Sequence, residues 1–372
     1  MAIWMLAFAA IPGVSQAALT AKSMVVMDAV SGQIVKSEKG TDPVGPASLA
    51  KMMTLYLTFT AVSDGQVAWD DPVLISNKAW GMGGSKMFIR EGTRIPLKRL
   101  VTGIAVVSGN DASIAVAEHL SGSEEGFVAW MNEVAGELGL TGTRFGTATG
   151  FPAPGQVTNA EDMARLGRAL ITDFPESIEL LSTKKFTHEG ITQNNRNRLL
   201  FRDIGVDGIK TGHTEDSGFH LVASAKKDDQ RFIVAVMGAD SEAARETIAQ
   251  RYLMAAFRTW ATVSPLDLEQ PVAVAKVWKG GEDSVAAVPE KAAYFTVKRK
   301  AEAEISVTAE VEEAVAPIEK GQVLGVAHVM LGEEELATVN LVAAQAVEEA
   351  GLITRFWHSI VLSFHSMLDT LF

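Results

Sequence analysis

A lysine set inside an apolar run constrains this chain more than any other feature. Residues 46–62 read Pro-Ala-Ser-Leu-Ala-Lys-Met-Met-Thr-Leu-Tyr-Leu-Thr-Phe-Thr-Ala-Val, with Pro43 before them and Ser63-Asp-Gly65 after them. Those boundaries delimit a helix. Met52, Met53, Leu55 and Tyr56 crowd around Lys51, so the helix is expected to be buried and to take the amine out of water. Burial, or a second cation nearby, lowers a lysine pKa. Ser48 lies three residues earlier, on the same helical face and about 4.5 Å away along the axis. A serine needs a base to become a nucleophile, and a lysine serves only when uncharged. The Ser-x-x-Lys pattern recurs at Ser182/Lys185 and Ser224/Lys227, so by itself it says little. Its usual meaning is a helix cap and a surface lysine. What distinguishes Ser48 is its place at the head of a helix, just after Pro46.

Two more segments belong with it. Ser108-Gly-Asn110 occupies a tight turn between apolar helices expected at 97–107 and 111–120. There Ser108 can pass a proton and Asn110 can hold a substrate amide, although an N-cap at Asn110 or Asp111 explains the turn equally well. Asp207-Gly-Ile-Lys-Thr-Gly-His-Thr214 reads as a strand. Strand alternation puts Lys210 and Gly212 on one face. Lys210 would add positive charge beside Lys51 and receive a carboxylate. Gly212 would let a substrate backbone lie against the strand.

The ends differ from the middle. Residues 2–11 are uniformly apolar, followed by Pro12, Gly13 and Ser15-Gln-Ala17, which reads as an export signal (residues 1–17) cut after Ala17. The basic residues that usually open such a signal are missing; Lys22 is the first. Past Ser264-Pro265, short Val- and Ala-rich runs alternate with Gly, Pro and charge, as in a small β-rich unit. In residues 352–372, Ile353, Phe356, Trp357, Ile360, Val361, Phe364, Met367, Leu368, Leu371 and Phe372 fall at steps of three and four. That stripe marks an amphipathic helix lying in a membrane interface rather than spanning it. The segments are then a signal at 1–17, a first domain at 18–262, a β-rich domain at 263–351 and a terminal helix at 352–372. A formal net charge of −12 argues against a nucleic-acid partner. The chain has no cysteine, which removes thiol nucleophiles, disulfides and thiolate metal sites. Its seven histidines form no His-x-x-x-His pair, and no cofactor is expected.

Ser-x-x-Lys, Ser-x-Asn and Lys-Thr-Gly in this order are the signature of penicillin-recognising serine enzymes, with Gly109 standing where that signature often has Asp. The chain resembles the low-molecular-mass penicillin-binding proteins that are serine D-alanyl-D-alanine carboxypeptidases, from about Ala21 to its C-terminus. The resemblance implies an α/β (α+β) fold, with an antiparallel sheet fed by residues 21–36 and 207–237 and flanked by helices. It makes Ser48 the nucleophile, Lys51 its base, Ser108 a proton relay and Asn110 a ligand of the peptide amide. Lys210, Thr211, Gly212, Arg245 and Arg196 would bind substrate, and the backbone N–H groups of Ser48 and His213 would form the oxyanion hole. The implied partners are the peptidoglycan stem pentapeptide and β-lactams as inhibitors; the signal and the terminal helix together add the outer, periplasmic face of the bacterial cytoplasmic membrane, to which the chain would be peripherally anchored. The loop Gly81-Met-Gly-Gly-Ser-Lys86 resembles the family's active-site loop less closely. A β-lactamase is the nearest alternative, but no Glu-x-x-Leu-Asn lies between Asn110 and Lys210. A non-catalytic peptidoglycan-binding scaffold is the other, and three intact motifs speak against it.

Overall fold

A computed structural model describes the backbone of residues 20–369 and the side chains of residues 20–363. The expected export signal lies outside the described residues. The first half of the molecule is built on a five-stranded sheet of β1 (Ser23–Asp28), β2 (Ile34–Glu38), β3 (Val206–Thr214), β4 (Gly218–Lys227) and β5 (Gln230–Ala239). The strand order is β2-β1-β5-β4-β3 and every pairing is antiparallel. The sheet thus joins the first strands of the chain to strands nearly two hundred residues later.

Both sheet faces are covered, and the strands alternate accordingly. Val25 and Met27 of β1, Val222 of β4, and Ile233 and Ala235 of β5 enter one core. Their neighbours Met24, Val26, Leu221, Ala223, Phe232 and Val234 enter a second. The first core is shared with α1 (Lys51–Ser63), α2 (Leu97–Val107), α3 (Asn110–Ser121) and α4 (Ala160–Asp173). The second is closed by α5 (Glu242–Thr259), through Ile248, Leu253 and Phe257. Side-chain caps start α4 and α5: Asn159 accepts from the Asp162 N–H, and Ser241 from the Ala244 N–H. Each cap satisfies a backbone donor the helix leaves open.

Helix α1 is apolar on nearly all sides, as suits a helix at the centre of a domain. Met52, Met53, Leu55 and Leu57 are fully buried. The expected helix from Pro46 differs at its head. Residues Ala47–Ala50 form a 3-10 turn and the α-helix begins at Lys51. Ser48 therefore sits on a tighter turn, half-buried, just ahead of the helix that carries Lys51.

The second half is a six-stranded sheet of β6 (Ala273–Trp278), β7 (Ser284–Pro289), β8 (Ile305–Val311), β9 (Ala314–Val315), β10 (Val323–Leu331) and β11 (Glu334–Ala343), in the order β8-β10-β11-β7-β6-β9. It has its own core of Val277, Val285, Ala327, Val329, Val339 and Leu341. A terminal helix, α6 (Leu352–Asp369), follows. Among the described residues no helix is long and apolar enough to cross a membrane.

Candidate active site

The Lys51 side chain is wholly buried, and its amine lies 3.0 Å from Ser48 Oγ. It also donates to the Thr149 carbonyl. Burial, reinforced by the positive charge of Arg196 and opposed by Asp111, pushes its pKa down to about 7. Near neutral pH a large share of molecules therefore holds an uncharged amine beside the hydroxyl. The Thr149 carbonyl can come this close because the next residue is glycine. Gly150 has φ +78°, and a Cβ there would lie 1.8 Å from the Ala47 carbonyl oxygen. The other two Ser-x-x-Lys pairs lack this setting. Lys185 and Lys227 are exposed, and Ser224 Oγ accepts from Arg231 at 2.6 Å.

Ser108 ends α2 in a left-handed conformation (φ 61°, ψ 36°), which turns the chain sharply into α3. Its hydroxyl lies 3.0 Å from the amine of Lys210, which also donates to the Thr211 carbonyl at 3.0 Å. Lys210 is buried on β3. Burial first, and then Lys51, Arg196 and Arg245, push its pKa well below the usual value. Two lysines thus approach from opposite elements with serine hydroxyls in reach. Asn110 is not a cap; Gly109 takes that position. Its side-chain amide donates to the Gly83 carbonyl at 2.8 Å, and its backbone N–H to the Ser85 carbonyl at 2.7 Å. In this state Asn110 holds the loop expected beside the site.

Strand β3 lies hard against the Ser48 turn. A Cβ on Gly212 would meet the backbone nitrogens of Ser48 and Leu49 at 3.2 Å. Thr211 is buried, and His213 is exposed with its ring stacked on Phe219 at 4.0 Å. Arg245, on the first turn of α5, is buried. It donates to the Gly212 carbonyl at 3.3 Å and lies 5.7 Å above the Phe219 ring. Its Nε has no hydrogen-bond partner, an unmet donor next to the β3 edge. Arg196 is exposed, but its Nε donates to the Val107 carbonyl at 3.1 Å. That contact brings its charge next to the Ser108 turn. A cleft of about 530 Å³ opens beside it, bordered by Asn194, Phe201 and Glu242.

Three supports escaped the sequence reading. The buried Asp111 carboxylate accepts from the N–H groups of Met87 (3.0 Å), Phe88 (2.9 Å) and Ile89 (3.3 Å), pinning the chain that follows the 81–86 loop. The available signal was an acid opening an apolar helix. Buried His220 accepts from the Gly238 N–H at 2.8 Å through Nδ1, so Nε2 carries the proton donated to the Gly45 carbonyl at 3.0 Å. It ties β4 and β5 to the approach to Ser48. The Thr149 carbonyl had no signal, because a main-chain group 98 residues from its partner leaves no trace in side-chain spacing.

This arrangement of two serines and two buried lysines, between a helical layer and an antiparallel sheet, defines a serine acyl-transferring hydrolase. A family model described as D-alanyl-D-alanine carboxypeptidase matches residues 11–241, and one described as the C-terminal domain of penicillin-binding protein 5 matches residues 260–349. The D-alanyl-D-alanine carboxypeptidase DacC of Escherichia coli is 36% identical over 98% of this chain and 94% of its own. The crystal structure of penicillin-binding protein 5 from Haemophilus influenzae is 36% identical, covers 91% of this chain and 100% of its own, and superposes with a TM-score of 0.82. Penicillin-binding protein D2 of Listeria monocytogenes, solved in an ampicillin-bound form, is 26% identical over 64% of this chain and 98% of its own, with a TM-score of 0.59. The chain belongs to the D-alanyl-D-alanine carboxypeptidase family. It is a serine-type carboxypeptidase of peptidoglycan remodelling.

Proposed function

We propose that Ser48 is the nucleophile that removes the terminal D-Ala of the peptidoglycan stem pentapeptide, with uncharged Lys51 as its base. The observation that carries this reading is the fully buried Lys51 amine, 3.0 Å from Ser48 Oγ with a pKa of about 7. Lys51 takes the Ser48 proton as Oγ bonds to the penultimate D-Ala carbonyl carbon. The N–H groups of Ser48 and His213 stabilise the oxyanion. Lys51 gives this proton up through Ser108, which is bonded to Lys210, to the departing D-Ala nitrogen as the C–N bond breaks, so the amine is uncharged again. Asn110 exchanges its loop carbonyl for the substrate amide. Lys210, Thr211 and Arg245 receive the terminal carboxylate against Gly212, with Arg196 adding positive charge. A water molecule, deprotonated by Lys51, then cleaves the ester, and Ser48 recovers its proton. β-Lactams acylate Ser48 by the same attack.

In this reading residues 18–262 form the catalytic unit, 263–351 hold it off the membrane, and 352–372 rest in the interface on the outer side of the cytoplasmic membrane, after export through the signal at 1–17. The support for the anchor is an apolar helix face left in solvent: Ile353 is 88% exposed, Phe356 70% and Trp357 64%. Intact-protein mass spectrometry after brief penicillin exposure is the test of the site. One adduct is expected, on Ser48, and none in Ser48→Ala. An adduct on another serine, or an unmodified wild-type protein, overturns the assignment.

A further inference from the structure

The loop that carries Thr149 is closed at its base by Arg144 and Val157, which exchange backbone hydrogen bonds of 2.8 and 3.0 Å. Its interior is tied by one side chain. Gln156 Oε1 accepts from the N–H groups of Gly146 at 3.0 Å and Thr147 at 3.2 Å, and lies 3.4 Å from the Thr147 hydroxyl. Gln156 Nε2 donates to the Phe151 carbonyl at 2.9 Å. An amide both accepts and donates, so this one group clasps the outgoing and returning arms together. Thr147 continues the clasp inward, its Oγ1 accepting from the Gly150 N–H at 3.0 Å. Thr149 lies between these tied points, and the Gly150 backbone rests on the Ala47 carbonyl of the Ser48 turn.

We propose that Gln156 is a positioning residue for the reaction: by clasping both arms of this loop it fixes the Thr149 carbonyl, and through it the direction of the Lys51 amine. The inference rests on the reading of Lys51 as base. An uncharged amine has two N–H groups and one lone pair. When one N–H donates to Thr149, the freedom left to the amine is small and the lone pair can be held on the Ser48 hydroxyl. The proton then moves from Oγ to Nζ, breaking O–H and forming N–H, while Oγ bonds to the carbonyl carbon. Without the clasp the loop loosens, the carbonyl shifts and water reaches the amine. Hydration restores the ammonium form, because burial is the main cause of its suppression.

The test is the pH dependence of acylation by a fluorescent penicillin, and of D-Ala release from an acyl-Lys-D-Ala-D-Ala peptide, using the full chain. The limb that rises through about pH 7 in the wild type should move to higher pH by about one unit in Gln156→Ala, with acylation at pH 7 slowed about fivefold by the loss of uncharged amine. Gln156→Met, which keeps the bulk and loses both hydrogen-bonding functions, should move the limb the same way and decides the matter if the alanine variant does not fold. A folded variant whose limb stays at the wild-type position overturns the proposal, however slow it is, since structural damage lowers the rate without moving the limb. Ser48→Ala separates this from the underlying reading: continued covalent labelling of that variant sinks the nucleophile assignment and the clasp with it, whereas loss of labelling together with an unmoved Gln156 limb sinks the clasp alone.

Discussion

At the residue scale the site is shaped by groups whose charged form burial disfavours. Lys51 and Lys210 are drawn into the protein by the elements that carry them, and burial is the first cause that lowers the pKa of each. His220 follows the same logic in a structural role. Burial, the largest cause, and then the nearby cations outweigh its bond to Gly45 and hold its pKa down to about 4. Protonation would place a hydrogen on Nδ1, which is already accepting from Gly238. The folded protein thus binds this proton less readily than the unfolded chain, where histidine titrates near 6.5. Its contribution to stability is full above pH 6.5, is lost as pH falls toward 4, and changes no further below that. The loss amounts to about 3 kcal/mol at most. Urea unfolding at pH 7.5 and 4.5 should therefore show a smaller acid destabilisation in His220→Gln than in the wild type. An equal drop in both proteins rules His220 out as the acid-sensitive group.

At the element scale, the helices and strands divide by what their faces meet. α1 is enclosed, α5 covers one sheet face, and α6 offers an apolar face to solvent. The start of α6 is held by its polar side. The Lys279 N–H donates to His358 Nδ1 at 2.8 Å, Trp278 meets the His358 ring edge-on at 5.3 Å, and Arg355 pairs with Glu349. Those contacts leave Ile353, Phe356 and Trp357 pointing outward. With Arg355 already paired, the anchor proposed above would draw its attraction to lipid from apolar burial, at roughly 1.5–3 kcal/mol per large side chain. Replacing Phe356 and Trp357 together by serine should weaken co-sedimentation with phosphatidylcholine vesicles by about a hundredfold or more, taking those two burials as the loss. The wild-type protein should bind nearly as well in high salt as in low. Unchanged binding of the double variant, or its loss in salt, counts against an apolar anchor.

At the scale of the whole molecule, the two halves are joined through polar groups. Asp28, fully buried at the end of β1, accepts from the N–H groups of Val30 at 2.8 Å and Ser31 at 3.3 Å. Its other oxygen accepts from the hydroxyls of Thr296, at 2.9 Å, and Thr262. Thr262 and Thr296 face each other across the pairing of Trp260–Val263 with Phe295–Lys298. Ser31 Oγ lies 2.6 Å from Thr296 Oγ1, and Arg299 donates to the Phe257 carbonyl at 3.0 Å. One carboxylate thus links the catalytic sheet to the β-rich half, and its removal leaves buried donors unpaired. Asp28→Ala is expected to cost about 3 kcal/mol or more and to split a joint calorimetric transition into two. A single transition that keeps its wild-type width and midpoint contradicts that role.

What the sequence determined by itself was local. The apolar run around Lys51, the turn at Ser108, the alternation in β3 to β5 and the stripe in α6 are patterns of period two or near four, and they depend only on neighbours. They gave the element types and the three motifs, while the head of α1 came out one 3-10 turn later than the helical pattern implies, because Pro46 and the left-handed Ala47 (φ 47°) tighten the chain there. The tertiary structure alone decided what surrounds each motif. Which of three Ser-x-x-Lys pairs has a buried amine, which carbonyl faces it, and how Arg196, His220 and Asp28 are partnered all depend on segments tens to hundreds of residues apart. The physical reason is that a pKa and a buried hydrogen bond are set by everything within a few ångströms, and only the folded chain brings those groups together.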